Sequence, residues 1–183
     1  TEGLFMKYGN SRWSSVDFTL KPVRQVVYDI LKDTITRYDI DGLELDFTRW
    51  PIYFKEVTLG YDVYPENLER MNNLVRMIRD LTEKISIERG KPMLLAIYVP
   101  DSIGFCHDVG LDIKTWLDEG LVDIVSLGCH SGNFQSWEDA VGEYKDNYDV
   151  QVFAAMDPLA YVTKTDMDDY EIDKQESILA YEA

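Results

Sequence analysis

The sequence predicts an α/β domain built on parallel strands joined by helical crossovers. Three observations carry this. Helical and strand-like apolar periods alternate along the chain. The later strand segments are apolar on both faces, as strands of a covered parallel sheet are. A composition of 45% hydrophobic and 13% aromatic residues over 183 positions gives a single domain, residues 1–183, a core of its own.

The first element is a helix. From Leu20 to Tyr38 the residues Val23, Val26, Val27, Ile30, Leu31, Ile35 and Tyr38 recur at helical spacing, with Pro22 in what would be the first turn. Asp39 to Gly42 breaks the pattern with a turn. Leu43, Leu45 and Phe47 then alternate with Glu44 and Asp46, a strand with two carboxylates on one face. Trp50 to Glu66 reads as a long loop rich in Tyr and apolar residues. Leu68, Met71, Leu74, Val75, Ile78, Leu81 and Ile85 make a second helical stripe, closed by Arg89-Gly90 with glycine at the left-handed stop. Met93 to Val99 is a buried strand. Asp112 caps a short helix through Trp116 and Leu117 that Gly120 ends, and Val122 to Leu127 is the next strand. Ser136 with Asp139 opens a helix through Val141 and Tyr144. Val150 to Met156 is another strand, and Asp173 to Ala183 reads as helical.

Composition narrows the function classes. The 34 acidic residues against 18 basic ones leave a formal charge of −16, a field that repels phosphate backbones, so nucleic acid is not an expected partner. No apolar run approaches the roughly 20 residues that cross a bilayer, so no membrane span is expected. Opening on Thr1 rather than Met, the sequence reads as a piece of a longer protein, which leaves localisation open. Cys106 and Cys129 are too few for a disulfide scaffold or a clustered zinc site, and their apolar neighbours favour buried free thiols over a bridge.

A parallel sheet can close as a (β/α)₈ barrel or stay open and doubly wound. No strand-to-helix junction carries G-x-G-x-x-G or a Walker-type sequence, so a nucleotide-binding open sheet finds no support. In either architecture the carboxyl ends of the strands face the ligand crevice. Those ends carry Glu44, Asp46 and Arg49, then Tyr98 and Asp101, then Ser126 and His130, then Asp157. Glu44 and Asp46 leave the strand on the face opposite Leu43, Leu45 and Phe47, and two carboxylates this close suit acid/base or nucleophile work. The competing reading holds both in a structural ion-pair network with Arg49. Arg49 and Trp50 set a guanidinium fork beside an indole face, a pair fit for a sugar or equally for a salt bridge and a core tryptophan. Asp157-Pro158 is a catalytic candidate or an ordinary turn opening. His107 and His130 stand outside any metal-ligand spacing; metal ligation is not expected, and His130 is the better placed to hydrogen-bond a ligand.

The run Tyr38-Asp39-Ile40-Asp41-Gly42-Leu43-Glu44-Leu45-Asp46-Phe47-Thr48-Arg49-Trp50-Pro51 resembles the signature Y-D-x-D-G-[IL]-[ED]-L-D-F-x-R-x-P of a group of uncharacterised glycoside-hydrolase-like (β/α)₈ barrels. Gly110-Leu111-Asp112 through Trp116 and Glu119-Gly120-Leu121-Val122-Asp123 is similar to that group's G-L-D-x-x-x-W-x-x-E-G-L-V-D, and Ala155-Met156-Asp157-Pro158 continues the likeness. Where such sequences often have Arg at the end of the middle strand, this one has Tyr98. The resemblance implies a partial TIM barrel of about strands 3 to 7. Asp46 would end the fourth strand and Asp157 the seventh, with residues near Leu4 to Tyr8 in the third; the open edges invite self-association. It also implies a carbohydrate substrate cleaved at a glycosidic bond without a cofactor. In that reading Asp46 and Asp157 are the working pair, Glu44 and Arg49 tune them, and Trp50, Tyr53 or Tyr98 stack on sugar rings. Chitinase-type barrels, by contrast, end a D-G-x-D-x-D-x-E strand in the acid Glu, and the aligned position here is Thr48, which has no titrating proton to give. That substitution admits a rival, a carbohydrate-binding or assembly module without turnover. Metal-assisted hydrolysis through Asp46, Asp157 and His130 ranks behind both, because hard ligands do not cluster.

Overall fold

The computed structural model describes residues 5–7, 14–48, 51–128 and 136–155. A short antiparallel pair, β1 (Phe5–Lys7) and β2 (Ser14–Val16), leads to helix α1 (Lys21–Arg37), which has Pro22 in its first turn as expected. Strand β3 (Gly42–Asp46) follows, then the one-turn helix α2 (Lys55–Thr58) and the long helix α3 (Pro65–Arg89). Next come β4 (Leu94–Val99), the short helices α4 (Ile103–Asp108) and α5 (Ile113–Asp118), β5 (Ile124–Leu127), α6 (Trp137–Lys145) and β6 (Gln151–Ala154).

The stop and start signals act as read from sequence. Gly90 ends α3 at φ 65°, in the left-handed region that a Cβ disfavours. The Asp112 carboxylate accepts the Thr115 N–H at the head of α5, and the Ser136 hydroxyl accepts the Asp139 N–H at the head of α6.

Strands β3, β4, β5 and β6 form one parallel sheet in chain order. The class is α/β. The order does not reverse within these four strands, so they contain no switch point of the doubly wound kind. The two faces of the sheet differ. Leu95, Ile97 and Val99 of β4 and Val125 and Leu127 of β5 are buried in one cluster with Met71, Val75 and Ile78 of α3, Trp116 of α5 and Tyr144 of α6. On the other face Glu44, Asp46, Leu94 and Phe153 are exposed. Among the described residues, helices cover one face of the sheet and leave the other open.

Three expectations need correction. Of the stretch Leu4 to Tyr8, the described residues Phe5–Lys7 are not a parallel third barrel strand: β1 pairs antiparallel with β2 in a separate two-stranded sheet, Phe5 opposite Val16. A partner a few residues along the chain closes a short loop, whereas a parallel neighbour needs a crossover of a dozen residues or more. The predicted stripe of the first helix is too wide. Val23 and Ile35 are buried and Val27, Tyr28 and Leu31 pack against the core, but Val26, Ile30 and Tyr38 are exposed. Strand β5 starts at Ile124; Leu121 and Val122 are buried in the turn before it. Cys106 is buried, and its thiol donates to the Pro100 carbonyl at 3.3 Å. Cys129, Met156 and the helix expected over Asp173 to Ala183 lie outside the described residues.

Candidate functional site

The open face at the carboxyl ends of the strands carries a continuous row. Asp46 lies opposite Tyr98, Tyr98 opposite Ser126 and Ser126 opposite Phe153, so four neighbouring strands present these side chains to the same side. One step toward the amino ends stands a second row, Glu44, Ala96, Ile124 and Gln151. The sequence-predicted residues Glu44, Asp46 and Tyr98 thus share one face.

Each is held by a specific contact. Glu44 Oε2 accepts the Ser126 hydroxyl at 3.2 Å, reaching across β4 where the side chain in its own row is only that of Ala96. Asp46 Oδ1 accepts both the N–H and the hydroxyl of Thr48, each at 2.8 Å, a turn in which the carboxylate folds back on the chain two residues on. Thr48 is buried, so this brace ties the exposed Asp46 carboxylate to a packed point of the chain. Oδ2 makes no hydrogen bond to the described residues. Tyr98 is placed by what Gly128 lacks: a Cβ there would approach the Tyr98 hydroxyl to 3.0 Å and collide with the Ala155 carbonyl. Sequence reading missed Gly128, because a single glycine after a strand does not announce a neighbouring ring.

Among the described residues no ion pair involves Glu44 or Asp46, so the two carboxylates face a polar, uncharged set of partners there. No three His, Cys, Asp or Glu side chains converge as a cation site among the described residues. Arg49, Trp50, His130 and Asp157 lie outside the described residues. Tyr53 does not join the row. It is buried, its hydroxyl donates to the Phe47 carbonyl, and its ring packs edge-on to Phe18 and Phe47, which leaves no face for a sugar. The loop apolarity that made it a stacking candidate instead fills the core. Asp101, another strand-end candidate, is fully buried.

No protein-family model and no curated protein matches the sequence. Among solved structures, a glycoside hydrolase family 18 N-acetylglucosaminidase from Paenibacillus barengoltzii is similar, at 20% identity and a TM-score of 0.45, over 60% of this chain and 30% of that one.

The motif from Gly110 to Asp123 has a structural job at most positions. Gly110 has φ 98°, and a Cβ on it would collide with the Phe54 ring. Trp116 is buried, and its Nε1 donates to Asn72 Oδ1 at 2.7 Å. Glu119 binds Arg76 through both oxygens at 2.6 Å. Asp123 accepts the Leu95 N–H and Arg79, each at 2.8 Å, fastening β4 to the turn before β5. These residues build the scaffold on which the open-face row stands.

Proposed function

We propose that the parallel sheet is part of a (β/α)₈ barrel and that the chain belongs to a carbohydrate-active enzyme of the glycoside-hydrolase type. The observation that carries the reading is the open-face row. Two carboxylates, Glu44 and Asp46, and the Tyr98 ring stand together at the carboxyl ends of parallel strands, where barrel enzymes keep their chemistry.

In this reading Asp46, braced through Oδ1, offers Oδ2 to the scissile bond, and Asp157 beyond β6 supplies the second carboxylate that glycosidic cleavage requires. Glu44 and Arg49 set the charge around them. Tyr98 and Trp50 present rings to the sugar, and His130 hydrogen-bonds it. A second reading, carbohydrate binding without turnover, is favoured by Thr48: it stands where chitinase-type strands place their acid and is spent on bracing Asp46. The deciding experiment assays the full-length protein against aryl glycosides and polysaccharides. Turnover is expected, and Asp46→Asn should lower kcat by about 10² or more with unchanged thermal unfolding. An unchanged rate removes Asp46 from catalysis. Glycan binding without turnover by the wild type selects the second reading.

A further inference from the structure

Between the N-terminal parts of α1 and α3 lies a cleft of about 180 Å³, lined by Lys21 and Arg24 from one helix and Arg70, Asn73, Leu74 and Met77 from the other. In a chain of formal charge −16, a hollow with three cations is out of keeping with the rest of the surface. Arg37, Arg76, Arg79 and Arg89 each have a carboxylate within 4.0 Å, whereas Arg24 and Arg70 have none among the described residues. Along the two helices Asp29 accepts from Gln25 and Glu69 accepts from Asn73 and Arg76, while Glu66, one turn before Arg70, makes no ion pair with it.

Both guanidinium groups are oriented. Arg24 Nη1 donates to the Phe18 carbonyl and Arg70 Nη1 to Asn67 Oδ1, while Asn67 is itself buried and anchored to Glu56. A guanidinium carries five N–H donors, so most of each fork is left over. The helix adds to the positive field. The first turn of α1 has no acidic residue and no side-chain cap but begins with Lys21, the reverse of what a helix N-terminus favours. Burial, and then the charge of Arg70, push the Arg24 pKa below its ordinary value, so the two cations repel each other across the cleft.

We propose that this cleft is a binding site for a tetrahedral oxyanion, a phosphate or sulfate group, either free or carried on a larger molecule. Each guanidinium group can hold two oxygens of such an anion at once, and Lys21 adds a point charge. The global negative charge is screened beyond roughly 8 Å at physiological salt, so it does not cancel a site whose cations touch the ligand. Leu74 and Met77 offer an apolar wall to any carbon skeleton attached to the anion.

Titrating the full chain with inorganic phosphate and with sulfate, at ionic strength held constant with chloride, tests the site by thermal unfolding and calorimetry. The expected result is saturable binding with a raised Tm, weakened roughly tenfold or more in Arg24→Gln and in Arg70→Gln. Lys21→Gln, at an exposed position, should also weaken binding and serves if an arginine variant fails to fold. Lys114→Gln, outside the cleft, should bind as the wild type does. Phosphate curves that superimpose on chloride, or wild-type affinity in both arginine variants, would overturn the proposal. A phosphorylated or sulfated monosaccharide that binds more tightly than the inorganic anion assigns the group to a larger ligand; equal or weaker binding assigns it to the free ion.

Discussion

Asn72 and Asp112 show how single side chains fix this fold. Asn72, buried on α3, accepts from Trp116 Nε1 at 2.7 Å and donates to Asp112 Oδ2 at 3.1 Å, joining α3 to the head of α5. Asp112 also accepts the Thr115 N–H and hydroxyl, so one carboxylate serves as helix cap and interhelical tie. Burial works to raise its pKa. The hydrogen bonds from Thr115 and Asn72, with His107 nearby, outweigh that effect and hold the carboxyl below its ordinary value. A carboxyl whose native pKa is depressed adds stability that is complete above the unfolded value of about 3.9 and is lost as pH falls through the native one. Asp112→Ala should therefore destabilise the protein by about 1 to 2 kcal/mol at neutral pH, as the loss of a cap does. The gap between variant and wild type should narrow below about pH 4. Denaturant titrations at a series of pH values measure this, and a gap independent of pH would mean that the ionised carboxylate adds nothing beyond its shape.

Among the elements, Arg89 joins the end of α3 to the end of α1. Its guanidinium donates to the carbonyls of Ile35, Tyr38 and Ile40, the last turn of α1 and the chain just past it. Carbonyls at a helix C-terminus lack intrahelical partners, and a cation there also suits the helix dipole. Arg89→Met keeps much of the apolar stem and removes the donors. It should speed amide exchange over residues 34–40 while leaving β4 and β5 protected; uniform protection would show that the last turn of α1 holds without it. The elements with strong local signals were legible in the sequence. Helix α3 announced itself by seven apolar positions and a terminal Gly90, and α5 and α6 by Asp112 and Ser136. The four-residue α2 and six-residue α4 span too few turns to show a period, and β1 and β2, three residues each, too few to show an alternation. That Glu44, Asp46 and Tyr98 share one face was legible, because period 2 and a parallel register fix which side chains point the same way. Tyr53 was not, since no local pattern tells an aromatic loop residue that stacks on a ligand from one that turns inward.

For the molecule as a whole, the contrast between the two sheet faces is the dominant physical fact. Among the described residues helices bury one face, while the other exposes Leu94 at 41% and Phe153 at 57% on the same side as the carboxylates of β3. Each exposed apolar Å² forgoes roughly 25 cal/mol of burial, which draws such faces together. Against this stands a formal charge of −16, which keeps copies apart wherever screening is weak. The balance should tip with salt. The screening length falls from about 30 Å at 0.01 M to about 10 Å at 0.1 M and 3 Å at 1 M, while the apolar attraction persists. The purified 183-residue chain is therefore expected to scatter light as larger species when sodium chloride is raised from about 0.01 M to about 1 M. Phe153→Lys, which places a charge on the open face without touching the buried one, should suppress that growth. A chain that stays monomeric at high salt and high concentration would show that its open face needs no cover, and would count against a closed barrel in favour of a four-stranded sheet that is complete with one face in water.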